Sequence, residues 1–444
     1  MQLHRVEKSF IHCSIFFTLF VGIPALISFL KKMPIYKSIG VLNAFDELTL
    51  LLTIGYGFYG FKHLIKDNVG RFIIIAFLTY MSSGIISGIL NNVAAKTLAF
   101  QSFLELKFLL VIIAIIGLDK PEKFFIFFEK FGKIILVLCV PLVLWQKAAP
   151  GSYDVIFSNG GHTGGFHSSG GEILSRGAGM FWFPGDLADF SSFFCMYFLF
   201  DYLDQKDRNN IKWIGISVWL LLSTLSRMEI TATILAILVV TIHCSNLQNK
   251  IKMLFLVIAG GVIVFPIIEP LIYSSIEKLG IEDVDSSKVP RVVFHYLSFK
   301  IAAEYYPFGS GFGTFGGHVA NITDSYLYFL HDFEKYYWYR ERIYMTDAYW
   351  AHVIGETGAI GATSIFALIF SVLIMLLCKL NKLIKSRSYI VFNKLSLAYS
   401  LYFFMNCFFA TTMTSMGALV MLSIAIKFGF HEHIVNNKNT NSLE

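Results

Sequence analysis

The sequence predicts an all-α integral membrane protein of about twelve transmembrane helices, with a large extracytoplasmic loop between spans 9 and 10. Three observations lead there. The 444 residues are 55% hydrophobic and only 15% charged. The chain carries apolar runs of about 18 residues or more, the length that crosses ~30 Å of hydrocarbon. These runs do not alternate polar with apolar, as the ~10-residue strands of a membrane barrel would. Finally, one polar stretch, residues 273–347, interrupts spans that otherwise have short connections.

Taken in order, the expected spans are about 9–30, 39–61, 71–90, 98–118, 131–149, 181–203, 211–225, 228–244, 253–272, 348–378, 395–410 and 416–430. Arg5 and Lys8 precede the first run, and no small-x-small cleavage site follows it, so a retained span is expected there. Residues 211–225 and 228–244 are short and separated by Ser226-Arg227, so one broken helix is an alternative. The last two runs are separated only by Thr411 to Ser415, which allows a tight hairpin.

Lys and Arg concentrate in alternate short loops, at Lys62, Lys66, Arg71; Lys120, Lys123, Lys130, Lys133; Lys206, Arg208, Lys212; Lys250, Lys252; and Lys379 to Lys394. The positive-inside rule then puts both termini in the cytoplasm. Lys31, Lys32 and Lys37 in the first outside loop violate it locally. The resulting organisation is N-terminal spans over 1–146, a first extracytoplasmic loop over 147–180, and central spans over 181–272. A large outer loop follows over 273–347, then C-terminal spans and a cytoplasmic tail over 348–444. The basic residues lie in short loops, which argues against nucleic acid as a partner. The six cysteines lie in or beside apolar runs with no CxxC pair, so neither a disulfide framework nor a zinc site is expected.

The outer segments hold the chemistry-bearing residues. The first is glycine-rich from Ser158 to Glu172 and ends in Arg176-Gly177-Ala178-Gly179 before Phe181-Trp182-Phe183-Pro184-Gly185-Asp186-Leu187-Ala188-Asp189. Asp186 reads as a helix cap, and Asp186 and Asp189 share a face at i, i+3. Arg176 is a permanent cation among glycines that allow backbone N–H groups to approach an anion. Ser226-Arg227-Met228-Glu229 places charge between two apolar runs, either as a snorkelling or paired arginine or as a group facing the bundle interior.

In the large loop, Arg291 opens an amphipathic stretch from Val292 to Ala303, expected to lie on the membrane surface. Gly311-Phe312-Gly313-Thr314-Phe315-Gly316 spells GxGxxG but lacks the strand and βαβ setting of a dinucleotide fold. His295, His318 and His331 lack ligand spacing. Tyr336-Tyr337-Trp338-Tyr339 suits stacking on sugars or an interfacial belt, and Arg340 and Arg342 flank Glu341. The loop closes through Asp347 into a span that still carries His352 and Glu356, four apart on one face. No carboxylate cluster calls for a metal, and no cofactor motif is present.

Four of these stretches, in this order, resemble the O-antigen polymerase and ligase superfamily. Arg176 to Phe190 is similar to the family's arginine, Gly-x-Phe and Pro-Asn-x-Leu-Ala, with Asp186 in place of Asn. Ser226-Arg227 is similar to its Ser-Arg at the start of a short span. Arg291 through Pro307-Phe308-Gly309-Ser310-Gly311-Phe312-Gly313 resembles its Arg … Pro-x-Gly-x-Gly-x-Gly. Asp347-Ala348-Tyr349-Trp350 … Glu356-Thr357-Gly358-Ala359-Ile360-Gly361 resembles its His-Asn-x-Tyr-Leu … Glu-x-Gly-x-x-Gly. Thr346-Asp347 stands where His-Asn is common in ligases, which tilts the resemblance towards a polymerase.

The resemblance implies a glycosyltransferase of the bacterial inner membrane, and the lack of a carboxylate cluster leads to the expectation that it works without a metal. It would join undecaprenyl-pyrophosphate-linked oligosaccharide repeats on the periplasmic side, with a chain-length regulator as a further partner. On that reading Arg176, Arg227 and Arg291 bind pyrophosphate, with Arg340 and Arg342 as further partners, since arginine matches phosphate oxygens in bidentate fashion. Tyr337 and Trp338 contact sugar. The base that takes the acceptor proton is Asp347, His318 or Glu172. The alternatives are a ligase acting on lipid A-core, or a non-enzymatic lipid-glycan flippase using Asp46, Glu47, Glu105 or Lys107.

Overall fold

A computed structural model describes residues 68–116, 121–157, 176–245, 290–342, 345–386, 390–408 and 415–430, with single residues 30, 61, 65 and 410. The expected spans near 9–30, 39–61 and 253–272 lie almost wholly outside the described residues. So do Glu172 and the glycine-rich segment. The described residues are helical, with no strand among them. Three helices, Gly70–Leu90, Arg227–Cys244 and Tyr349–Ile384, are long and apolar enough to cross a membrane.

In chain order the bundle helices are α1 (Asn68–Leu90), α2 (Ala95–Ile116), α3 (Pro121–Ala148), short α4 (Pro150–Phe157), α5 (Pro184–Gln205), α6 (Asn209–Ser223) and α7 (Arg227–Cys244). Asn92 turns the chain between α1 and α2 at φ +55°, a left-handed conformation that asparagine tolerates. Pro184 opens α5, where a missing N–H costs nothing, and Lys206 closes it at φ +59° with its N–H on the Tyr202 carbonyl. Residues 209–244 form two helices rather than one broken one, because Leu225 takes φ +52° between them.

The polar segment follows as α8 (Pro290–Glu304), α9 (His318–Ile322), α10 (Tyr326–Leu330), a 3₁₀ turn (Phe333–Lys335) and α11 (Tyr337–Arg340). The chain returns to the bundle as α12 (Tyr349–Ser386), α13 (Val391–Asn406) and α14 (Met416–Phe430).

α5 is the central helix. Leu187, Ala188, Phe190, Phe194, Cys195, Met196 and Phe200 point around its whole circumference and are all buried. A helix apolar on every side belongs in the middle of a bundle. Phe194 stacks on Phe128 of α3 at 5.3 Å. The outer faces are also apolar: Ile75, Leu78, Ile89, Ile134, Ile234 and Ile374 are each more than half exposed. Large aliphatic side chains turned outward on several helices form the surface a bilayer solvates.

The segment over 290–342 has its own core. Phe294, Leu297 and Ile301 of α8 pack with Phe315, Leu327, Tyr328, Phe333, Trp338 and Tyr339. α8 buries this one stripe and exposes Val292, Tyr296 and Phe299, so it is amphipathic as expected, with its buried face against the segment's own core and against α12.

Candidate functional site

The helices alternate direction, which brings one set of termini together. The starts of α5, α7, α8 and α12 meet the ends of α6 and α13. Each junction is marked by a polar contact. Arg176 donates from Nε to the Thr224 carbonyl at 3.1 Å and from Nη2 to Ser226 Oγ at 2.7 Å. Gln146, near the end of α3, donates to the Arg176 carbonyl at 2.9 Å and accepts from the Ala178 N–H at 2.9 Å. Asp189 on α5 accepts from Tyr402 Oη, and from Asn406 Nδ2 at 3.3 Å, both on α13. Arg291 Nη2 donates to Asp347 Oδ2 at 3.0 Å, joining the starts of α8 and α12. His295 of α8 bonds the Phe408 carbonyl at 3.1 Å, just past α13.

These contacts converge on Glu229 in the first turn of α7. Its carboxylate lies in the field of Arg176, Arg291 and Asp347 together. Asp189 and Tyr402 lie in the field of Glu229 in turn, as Asp189 does in that of Asp186. Arg176 and Arg291, far apart in sequence, therefore share one polar site at the end of the bundle. Burial pushes the Asp347 carboxyl above the usual carboxylate range, and the Arg291 guanidinium beside it does not fully offset that.

The remaining expected site residues fall elsewhere. Arg227 is exposed at the start of α7, while its neighbour Ser226 turns inward to hold Arg176. Arg342 pairs with Asp324 at 2.8 Å and stacks on the Tyr339 ring at 4.6 Å, so it braces the 290–342 segment. Arg340 and His318 are exposed on that segment. Trp338 is fully buried among Phe294, Phe333 and Tyr336, which makes it core rather than a sugar platform; Tyr337 beside it is 41% exposed.

A second polar cluster fastens the segment to the bundle. α12 breaks at Gly358, with φ +59° and ψ −157°, a conformation essentially confined to glycine. The Gly309 to Phe312 turn fills the break. Ser310 N–H donates to the Gly355 carbonyl at 3.0 Å, Gly311 N–H to that of Glu356 at 2.9 Å, and Ile360 N–H to Pro307 at 3.3 Å. Phe312 N–H reaches the Gly84 carbonyl on α1 at 3.2 Å. The turn thus supplies rungs that the kinked helix lacks, in apolar surroundings where an unmet backbone group costs several kcal/mol. Glu356 accepts the N–H groups of Gly313 and Phe315 at 2.9 and 2.8 Å. His352 lies between Glu356 at 3.3 Å and Glu105 of α2 at 3.0 Å. Tyr80, Gln101 and Tyr349 complete the shell of Glu105. The GxGxxG amides are consumed in docking, so they form no anion cradle.

Among the described residues no group of three or more His, Cys, Asp or Glu is arranged to hold a metal. Glu229 and Ser226 were the residues that motif reading undervalued. Their signal was present as Ser-x-x-Glu at a helix start, which ordinarily denotes a capping box. No known family model matches the chain, and no curated protein matches it.

Proposed function

We propose that this chain is a membrane glycosyltransferase that polymerises undecaprenyl-pyrophosphate-linked oligosaccharide repeats, with the segment 273–347 as a periplasmic lid. The twelve-span topology with both termini cytoplasmic belongs to the same proposal. The observation that carries it is the convergence of Arg176 and Arg291 with Asp347 and Glu229 at one end of the bundle. Transfer from a lipid pyrophosphate needs cations already in place where leaving-group charge develops. Arginine supplies them in the bidentate geometry phosphate prefers. Arg227, exposed nearby, suits the rim of that site. The end of a bundle with apolar outer walls suits a substrate that is half lipid and half sugar.

Each of Arg176→Ala and Arg291→Ala is expected to lower polymerisation by about 10²–10³-fold, the usual cost of removing one such donor. Glycan length in whole cells, at matched protein level, reads it. Unchanged length in both variants overturns the clamp. Deleting the gene separates this reading from a ligase: single repeats on the lipid A-core mean a lost polymerase, a bare core a lost ligase. Glu105, a charge the flippase alternative would keep free, is engaged by Tyr80, Gln101, Tyr349 and His352.

A further inference from the structure

Ser226-Arg227-Met228-Glu229 has the spacing of a capping box, in which the serine hydroxyl caps the Glu229 N–H and the glutamate returns to the serine N–H. Neither bond is made. Ser226 Oγ accepts from Arg176 instead, and Ser226 N–H donates to Thr224 Oγ1 at 3.2 Å. Glu229 is half-buried, and its Oε1 faces Gly185, where an added Cβ would stand at 3.4 Å. Glycine there places no side chain against the carboxylate on the α5 side. Two neighbouring carboxylates are engaged, Asp347 by Arg291 and Asp189 by Tyr402 and Asn406.

We propose that Glu229 is the proton acceptor of the transfer, an inference that rests on the glycosyltransferase reading. The acceptor sugar hydroxyl attacks the anomeric carbon of the donor. Its O–H bond breaks, and the proton passes to the Glu229 carboxylate. The bond from the anomeric carbon to the pyrophosphate oxygen breaks, and its electron pair leaves with the lipid pyrophosphate, held by Arg176 and Arg291. Arg176 thereby does two things: it binds the leaving group and, by taking Ser226, opens the box that would otherwise occupy the base. Glu229 is faced by Arg176 from the loop before α5, Asp189 from α5, Arg291 from α8, Asp347 from the start of α12, and Tyr402 from α13, with Asp186 of α5 acting on Asp189 behind it.

The test uses the full-length protein in membrane vesicles carrying the host's own lipid-linked repeats, with undecaprenyl pyrophosphate as the binding probe. Glu229→Gln is expected to slow repeat joining by about 10²–10⁴-fold, the range for a lost general base. The probe should still bind, no more weakly than to wild type because a negative charge beside Arg176 and Arg291 is gone, and the acid limb of the pH–rate profile should vanish. Arg176→Ala should instead lose the probe. A Glu229→Gln rate within threefold of an active wild type overturns the base and leaves the function standing. A wild type that neither joins repeats nor binds the probe overturns both. If Glu229→Gln does not accumulate, Glu229→Asp decides: it keeps the charge but withdraws it by one methylene, so joining should fall at least about tenfold. Wild-type joining by that variant overturns the proposal.

Discussion

At the scale of single residues, what mattered was which of two neighbours faces inward. Ser226 and Arg227 are adjacent, yet the serine enters the site and the arginine is exposed. Ser226 is the non-helical cap of α7 and Arg227 its first helical residue, so the two point apart and the dipeptide motif does not say which member reaches the interior. The same holds for Tyr337 and Trp338, one exposed and the other core. His331 makes a measurable case. Burial pulls its imidazole below the ordinary histidine value, against Glu304 at 3.8 Å. The unfolded segment takes up a proton near pH ~6.5 that the folded one resists. Stability should therefore be full above that value and decline as pH falls from it towards the depressed folded value. Protease resistance of the 290–342 segment across pH 5–8 (roughly the span over which histidine titrates) reads this, and His331→Gln should flatten the profile. An unchanged slope in that variant would remove His331 as the cause.

At the scale of elements, the glycines of the 309–316 turn are docking devices. Gly309, at φ +81°, lies against Gly358, and a Cβ on it would stand 2.4 Å from the Gly358 nitrogen. Gly309→Ala should cost about 1–3 kcal/mol for the clash and about 1–2 kcal/mol for the left-handed backbone. The segment should then detach from α12 while α8 keeps its aromatic core. Limited proteolysis between residues 304 and 318 would rise selectively; cleavage equal to wild type would show that the turn docks by other means. The GxGxxG spelling was legible in the sequence, and so was its poor fit to a nucleotide fold. Its partner, the break at Gly358, distant along the chain but adjacent in space, was not.

At the scale of the whole molecule, the buried chain Glu105–His352–Glu356 joins α2 to α12 and reaches the 290–342 segment through the Gly313 and Phe315 N–H groups. Each side chain is at most 3% exposed. Breaking such a pair by removing one partner typically costs about 3–5 kcal/mol, because it strands buried charge. His352→Ala should lower the thermal stability of the detergent-solubilised protein by an amount of that order, and His352→Gln by less. Equal stability of His352→Ala and wild type would mean that the carboxylates are compensated elsewhere.

The apolar runs and their lengths, read in order, determined a helical membrane chain and most helix positions, because burial in hydrocarbon demands about 20 apolar residues whatever the partners. They also marked the polar segment as the unusual part. The sequence likewise singled out Arg176 and Arg291. Only tertiary structure decided that these two meet, that Arg342 braces Asp324, that Trp338 is core, and that Glu229 stands uncapped among them. The physical reason is that hydrophobicity acts through local composition. The charge, hydrogen bonding and close glycine contacts of a site act over a few ångströms, between residues whose proximity arises only when the helices pack.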